Sequence, residues 1–569
     1  MRTKIQEQIK KLQKSNYYFV LARFISFLLC IVCLYLGVNH HQNYYVLMMI
    51  LLISFIIFVI INEKYKKQLT HMIYIEEAYK DQDARKSNDW KQFNDDGSEF
   101  INKEDYEAID LDLLGKHSLY QYLCICKTYQ GRKKLANTLK NKMTDKQTVL
   151  KKQAMIQECS KQEQFMMEMI AYLKALKVKK HNLEVVEVKP YSKIFMSLIF
   201  LFILAHGCSF IYMFMFHGHH AYTLICFVIL LSLALFMQIK NNVILQTYSE
   251  FYEHIKIYDQ LLALITKTTF ENQDLIQLQN KAKQAYQASN ALNQFLWMIH
   301  SRNNIIFYMI FNGFLCIDFI SILLISKWYQ KYGLNFLNQL EVIYDFEVLL
   351  SFACFNQAKD HTCIPEISDD LTFSFVELYL PLLKESDAIK NNFTTTNGVI
   401  LITGSNMSGK TTFMRTIAMN MVLFMCGANI CATNANLIPL QLYTSMRIAD
   451  NVSEGKSTFF EEVLRIKRMI EYAKNNQPML LLIDEIFKGT NYDDRILCSK
   501  TIIELLHQKH VILIITTHDF DLCDIDYVNN YHFTQSFIDN QMLFDYQIKK
   551  GRSNTTNALQ LLKMVGIDV

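Results

Sequence analysis

The chain has 569 residues, too many for a single hydrophobic core, so several domains are expected. Hydrophobic residues make up 51% and charged residues 20%, a mixture that points to membrane segments attached to a soluble body. A net charge of +4 is too small to imply nucleic-acid binding by itself, and the 14 scattered cysteines give no disulfide framework. With only 16 glycines and 5 prolines, long helices and few loops are expected.

Residues 1–16 are polar and basic, and two apolar runs follow, about 18–38 and 44–61, joined by a short loop without Lys or Arg. Each run is about 20 residues, long enough to span a bilayer. Residues 1–67 therefore read as an N-terminal transmembrane hairpin. Its basic flanks place both ends in the cytoplasm. The first run is too long for a secretory signal and no small-residue cleavage site follows it. Cys30 and Cys33 lie inside it and read as buried thiols rather than a metal site.

Residues 68–190 are the first part of a helical core or lever region, with mostly helical apolar spacing from Gln121 to Lys174. Residues 191–240 form a second hairpin, with spans at about 194–216 and 221–239. Its turn, His217-Gly218-His219-His220, reads as a polar outer turn rather than a metal cluster. Residues 241–370 continue the lever and core. Leu245, Tyr248, Tyr252, Ile255, Tyr258, Leu262 and Ile265, spaced by threes and fours, predict one long amphipathic helix across 241–300. Ile305 to Ser326 is apolar enough for a fifth span. It carries Asn312, Gly313 and Asp318, and a fifth span would put the C-terminal domain outside the cell, so a buried or membrane-adjacent helix is expected.

Residues 371–569 read as an α/β domain. An apolar strand, 399–403, leads into GSNMSGKTT (404–412), and a helix-compatible run leads out. This is the spacing G-x-x-x-x-G-K-[ST]. Gly404 and Gly409 let the backbone curl so that the N–H groups of Ser405, Asn406, Met407, Ser408 and their neighbours face a phosphate. The helix N-terminus at Lys410, Thr411 and Thr412 adds its dipole. Lys410 would reach the β- and γ-phosphates of ATP, and Thr411 would ligate Mg²⁺. Two further apolar runs, 479–483 and 511–515, suit buried parallel strands. The first ends in Asp484, a second Mg²⁺ ligand, and Glu485, which would orient and deprotonate water. The second ends in Thr516-Thr517-His518-Asp519, where His518 would report on the γ-phosphate.

Five stretches resemble the MutS family, the mismatch-repair branch of the ABC-type ATPases. They are GSNMSGKTTFMR (404–415), RIADNVSEGKSTFFEE (447–462), DEIFKGTN (484–491), TTHD (516–519) and GRSNTTNAL (551–559). The resemblance implies an ABC-type phosphate-loop ATPase using ATP and Mg²⁺. It also implies a head-to-tail homodimer in which Ser457 reaches the partner's γ-phosphate. The departures are equally specific. A membrane hairpin stands where the family has its mismatch-reading domain, and the second hairpin falls where the DNA-clamping domain is inserted. Phe487 replaces a small residue, Lys488 replaces an arginine, and no terminal helix–turn–helix element is visible. The expected function is a membrane-anchored ATPase switch, multi-pass in the cytoplasmic membrane with its ATPase domain in the cytoplasm. The alternatives are a repair or recombination protein binding mismatched or branched DNA, and a transport-type ATPase.

Overall fold

Helices dominate the chain up to Ala358, as the scarcity of glycine and proline leads one to expect. The computed structural model describes residues 2–39, 43–140, 145–176, 185–216, 220–405, 407–447, 458–475, 477–487, 490–507, 509–538 and 541–553. It divides into two units. The first comprises Met1–Lys80, Lys127–Gln130 and Gln164–Phe346, and the second Asp81–Cys126, Gly131–Glu163 and Glu347–Val569.

In the first unit, both predicted hairpins are helical. Helix Arg2–Asn39 carries the polar N-terminal stretch and the first apolar run without a break, and Asn43–Ser87 extends the second run well past its apolar part. Phe19 stacks on Tyr65 at 5.1 Å and Phe27 meets Phe55 at 6.0 Å, so the two helices pair antiparallel. The second pair is Lys193–Phe216 and His220–Lys240; residues 217–219 of the expected histidine turn lie outside the described residues. All four helices are long and apolar enough to cross a membrane. Many of their large apolar side chains face outward, as at Ile194 (77% exposed) and Ile239 (80%), while a few such as Leu230 and Met237 are buried.

Two segments depart from the sequence reading. The amphipathic stretch 241–300 is a helical hairpin rather than one helix, formed by Asn242–Lys267 and Gln273–His300. Asn272 starts the second helix by accepting the backbone N–H groups of Asp274 and Leu275, which a continuous helix would not leave open. Gln279 then donates to the carbonyls of Ile265 and Thr268, tying the turn. The ambiguous segment is likewise two helices, Ile305–Leu315 and Ile317–Trp328, bent by 81° at Cys316. By shape it is a broken span or a re-entrant loop, and among the described residues the count of membrane-length helices is four, or five if the bent pair is taken as one. Two of its polar residues have partners nearby. Asp318 is fully buried 3.1 Å from Arg302, and Asn312 accepts the Asp318 backbone N–H.

The second unit carries the α/β part. Its strands are β1 (Glu366–Ile367), β2 (Thr372–Leu378), β3 (Asn391–Thr396), β4 (Gly398–Thr403), β5 (Asn434–Leu437), β6 (Gln441–Ser445), β7 (Met479–Asp484), β8 (Val511–Thr516), β9 (Val528–Ile538) and β10 (Gln541–Lys550). A small sheet has the order β1-β5-β2-β3. The larger has the order β10-β9-β4-β8-β7-β6, parallel from β9 to β6 with β10 antiparallel at one edge. β4 and β8 are buried along their whole length, and β7 is buried up to Asp484. This explains why they read as unbroken apolar runs instead of alternating ones. Ile466 and Met469 from helix Thr458–Ala473 and Ile503 from Tyr492–His507 join Leu401, Leu481 and Leu513 in one core.

Candidate nucleotide site

Strand register brings the site together. Ile402 on β4 and Asp484 on β7 both pair with Thr516 on β8, so three strands deliver their carboxyl ends to one line. Ligands of open α/β sheets bind at such strand ends.

From β4 the chain turns through Gly404 (φ +147°) and Gly409 (φ +103°) into helix Lys410–Met425. A side chain at 404 would come within 2.9 Å of the Ser408 hydroxyl, and one at 409 within 3.1 Å of the Tyr546 ring, so both positions need glycine for conformation and for space. Met407 also has positive φ (+70°), and its side chain is 84% exposed. Asn406 lies outside the described residues. The Ser405 hydroxyl is held by Gln535 on β9, while the buried Ser408 hydroxyl has no hydrogen-bond partner among the described residues. Thr412 lies in the first turn, its carbonyl accepting from Thr416.

Lys410 is buried beneath the loop. Its Nζ donates to the carbonyls of Gly404 (2.7 Å) and Ser405 (2.9 Å) and lies 3.3 Å from His518 Nε2. The Thr411 hydroxyl donates to Asp484 Oδ2 at 3.0 Å, and Thr516 Oγ1 bonds Asp484 Oδ1 at 2.5 Å. Glu485 has φ +57°, and its backbone N–H reaches the carbonyl (3.1 Å) and hydroxyl (3.2 Å) of Thr516. Its carboxylate lies 3.1 Å from His518 Nε2. Arg495 grips Asp519 with two 2.8 Å bonds, fixing the stretch that carries His518.

One ammonium, one imidazole, two carboxylates and two hydroxyls thus converge beside a glycine loop and a helix N-terminus. The ammonium, the imidazole and the loop N–H groups can donate to phosphate oxygens, while the carboxylates are acceptors. Thr411 and Asp484 offer hard oxygen ligands of the kind Mg²⁺ takes. Among the described residues no group of three or more His, Cys, Asp or Glu could hold a metal, so this pair would need further oxygens such as those of a phosphate. Ser457 and the rest of 448–457 lie outside the described residues. Arg495, Gln535 and Tyr546 were not singled out by motif spacing; helix Tyr492–His507 and the β9–β10 hairpin bring them in.

The fold and this gathering of groups define a C-terminal α/β domain built around a glycine loop at the carboxyl edge of a mostly parallel sheet. Residues 400–568 match the family model of MutS domain V. The DNA mismatch repair proteins MutS of Staphylococcus aureus strains MRSA252, JH9 and Newman are each 28% identical over 251 residues, which is 42% of this chain and 28% of each relative. The resemblance to the MutS family is thus confined to this C-terminal part, and the match spans little more than a quarter of the relatives' own length.

Proposed function

We propose that this chain is a membrane-anchored MutS-like ATPase that binds and hydrolyses ATP at a composite site between two copies and uses the cycle to switch conformation. The observation that carries the reading is the convergence of Lys410, the Thr411–Asp484 pair and the Glu485–His518 pair at the ends of β4, β7 and β8. Loop N–H groups and Lys410 bind the phosphates. Thr411 and Asp484 would hold Mg²⁺, which neutralises phosphate charge when bound. Glu485 orients the attacking water and takes its proton. His518, set between Lys410 and Glu485, senses the γ-phosphate. Ser457 of a second copy completes the site. The four apolar helices support anchoring in the cytoplasmic membrane with this domain on the cytoplasmic side. Helices Asn43–Ser87 and Leu334–Ala358 have residues in both units and suit transmission of the switch.

Glu485→Gln tests the chemistry. It should bind ATP as the parent does and lose about 10²–10⁴-fold in turnover, the range for removal of a general base. Normal turnover would remove Glu485 from that role.

A second reading, action on mismatched DNA, is favoured by the name of the relatives. With a membrane hairpin at the clamp position, the levers would end in lipid and could not close around a duplex. Little discrimination between mismatched and matched DNA is therefore expected at fixed salt. A preference of about tenfold or more, roughly 1.4 kcal/mol, would restore mismatch sensing.

A further inference from the structure

A second charged cluster lies in the same unit, away from the groups described above. Asp110 ends the short helix Tyr106–Asp110 and is fully buried. Its carboxylate accepts from the Thr444 hydroxyl (2.8 Å), the backbone N–H groups of Met446 and Arg447 (3.0 Å each) and Arg465 Nη1 (3.2 Å). Asp112, at φ +50°, takes both Nη atoms of Arg447 (2.6 and 3.0 Å) and one of Arg415 (3.2 Å). Arg447 also donates to the Ile109 carbonyl, and Arg465 to the carbonyl of Arg447. The Arg465 guanidinium lies 4.2 Å from the centre of the Tyr106 ring.

Isolated surface ion pairs contribute little, but a buried carboxylate shared among four donors holds all of them in fixed relation. The partners are not scattered over the unit. Arg447 is the residue immediately before 448–457, and Arg465 stands on the helix immediately after it. Arg415 is five residues beyond Lys410, on the helix that starts at the glycine loop. Burial and the neighbouring Arg447 hold the Arg415 guanidinium below its usual pKa, while Asp112, Asp110 and Asp484 pull the other way. Its charge is therefore felt by both clusters.

We propose that Asp110 and Asp112 are positioning residues for hydrolysis. They fix both roots of the segment carrying Ser457, through Arg447 and Arg465, in register with the phosphate-loop helix, through Arg415. This rests on the reading of Ser457 as a group that acts in the partner's site. In that case a subunit whose clasp is broken is a poor donor of Ser457 but keeps a sound phosphate loop.

Arg447→Ala is the variant of choice, because the Arg447 side chain is 44% exposed and its loss leaves Asp110 buried with its other partners. It should bind ATP within about threefold of the parent and lose turnover at least tenfold, since misplacement of reacting groups costs rate rather than affinity. Arg447→Lys, which keeps the charge, should recover part of that turnover. Mixed dimers give the decisive readout. Arg447→Ala mixed with Lys410→Ala should regain activity, because one site then has an intact phosphate loop and an intact Ser457 donor. Arg447→Ala mixed with Ser457→Ala should not. The reverse pattern, recovery with neither partner, or undiminished turnover in Arg447→Ala would each overturn the proposal. Lys410→Ala mixed with Ser457→Ala is the control. If that mixture forms dimers and stays inactive, it is the in-trans reading of Ser457 that fails, and the loop-donor role of Arg447 falls with it.

Discussion

Thr516→Val separates the two jobs that meet at the end of β8. The substitution keeps shape and removes one hydroxyl from a fully buried residue. That hydroxyl bonds Asp484 Oδ1 at 2.5 Å and accepts the Glu485 backbone N–H at 3.2 Å. The second bond has a substitute, because the same N–H reaches the Thr516 carbonyl at 3.1 Å. The first has none on that oxygen among the described residues; Thr411 serves the other oxygen of Asp484 at 3.0 Å. The net loss is therefore one hydrogen bond to a charged group, about 1.5–3 kcal/mol. Where the whole worth of this bond goes into orienting the carboxylate for metal, its loss weakens Mg²⁺ binding by about 10- to 150-fold, at roughly 1.4 kcal/mol per tenfold. The assay is a Mg²⁺ titration of ATP hydrolysis at saturating ATP, with melting curves to check the fold. The half-saturating Mg²⁺ concentration should rise about tenfold or more, and turnover at saturating Mg²⁺ should stay within about threefold of the parent. An unchanged Mg²⁺ requirement with collapsed turnover would refute the reasoning and assign Thr516 to the setting of Glu485 instead.

Lys410→Ala should weaken ATP binding, measured by equilibrium titration with a labelled nucleotide, because the buried ammonium bonds the Gly404 and Ser405 carbonyls of the glycine loop. Asp145 caps helix Lys146–Lys161, and bonds from the hydroxyl and backbone N–H of Thr148 hold its carboxyl below the usual range. Its stabilising contribution is thus present above the ordinary aspartate pKa and lost as pH falls through the lowered value. Asp145→Ala should melt earlier than the parent at neutral pH, and the gap should close in acid; Asp145→Asn, which keeps a capping oxygen, should lose less at neutral pH. A compartment-reporting tag after Val569 should read cytoplasmic and one inserted at His219 external, since four spans leave both ends inside. An external C-terminal tag would overturn the topology.

What the sequence made legible was whatever is written locally. β4, β7 and β8 could be read because both faces of each are covered, so the chain is continuously apolar until it meets Gly404, Asp484 or Thr516. The membrane-length helices could be read for a similar reason. Contacts between distant positions were not legible. No spacing rule links Asp112 to Arg415 or Thr516 to Asp484; register and packing make those pairs. The turn after Lys267 was missed because the apolar stripe of the first helix gave no stop signal, while the start signal, Asn272, is a single residue. The bend at Cys316 was missed for a different reason. A non-glycine residue at φ +48° gives no compositional mark, and the segment's apolarity is the same whether it runs straight or folds back.

Phe487 shows how a departure from the family pattern is absorbed. The pattern has a small residue there, and the chemistry of the neighbouring Asp484 and Glu485 makes any change look functional. In the fold Phe487 is buried, with φ +59°, and its ring lies 5.6 Å from that of Phe459 on helix Thr458–Ala473. The ring joins the apolar core that β7 and β8 share with that helix and stays clear of the bonds made by Asp484 and Glu485. Its consequence is therefore mechanical. The helix that follows the Ser457 segment is wedged by an aromatic pair at its first turn and tied by Arg465 to Asp110 further along. Phe487 and the proposed aspartate clasp bear on the same helix, so under the in-trans reading of Ser457 the Phe487→Ala variant should lower ATP turnover and leave ATP binding intact. Weaker ATP binding in that variant would show that the ring supports the strand-end chemistry directly.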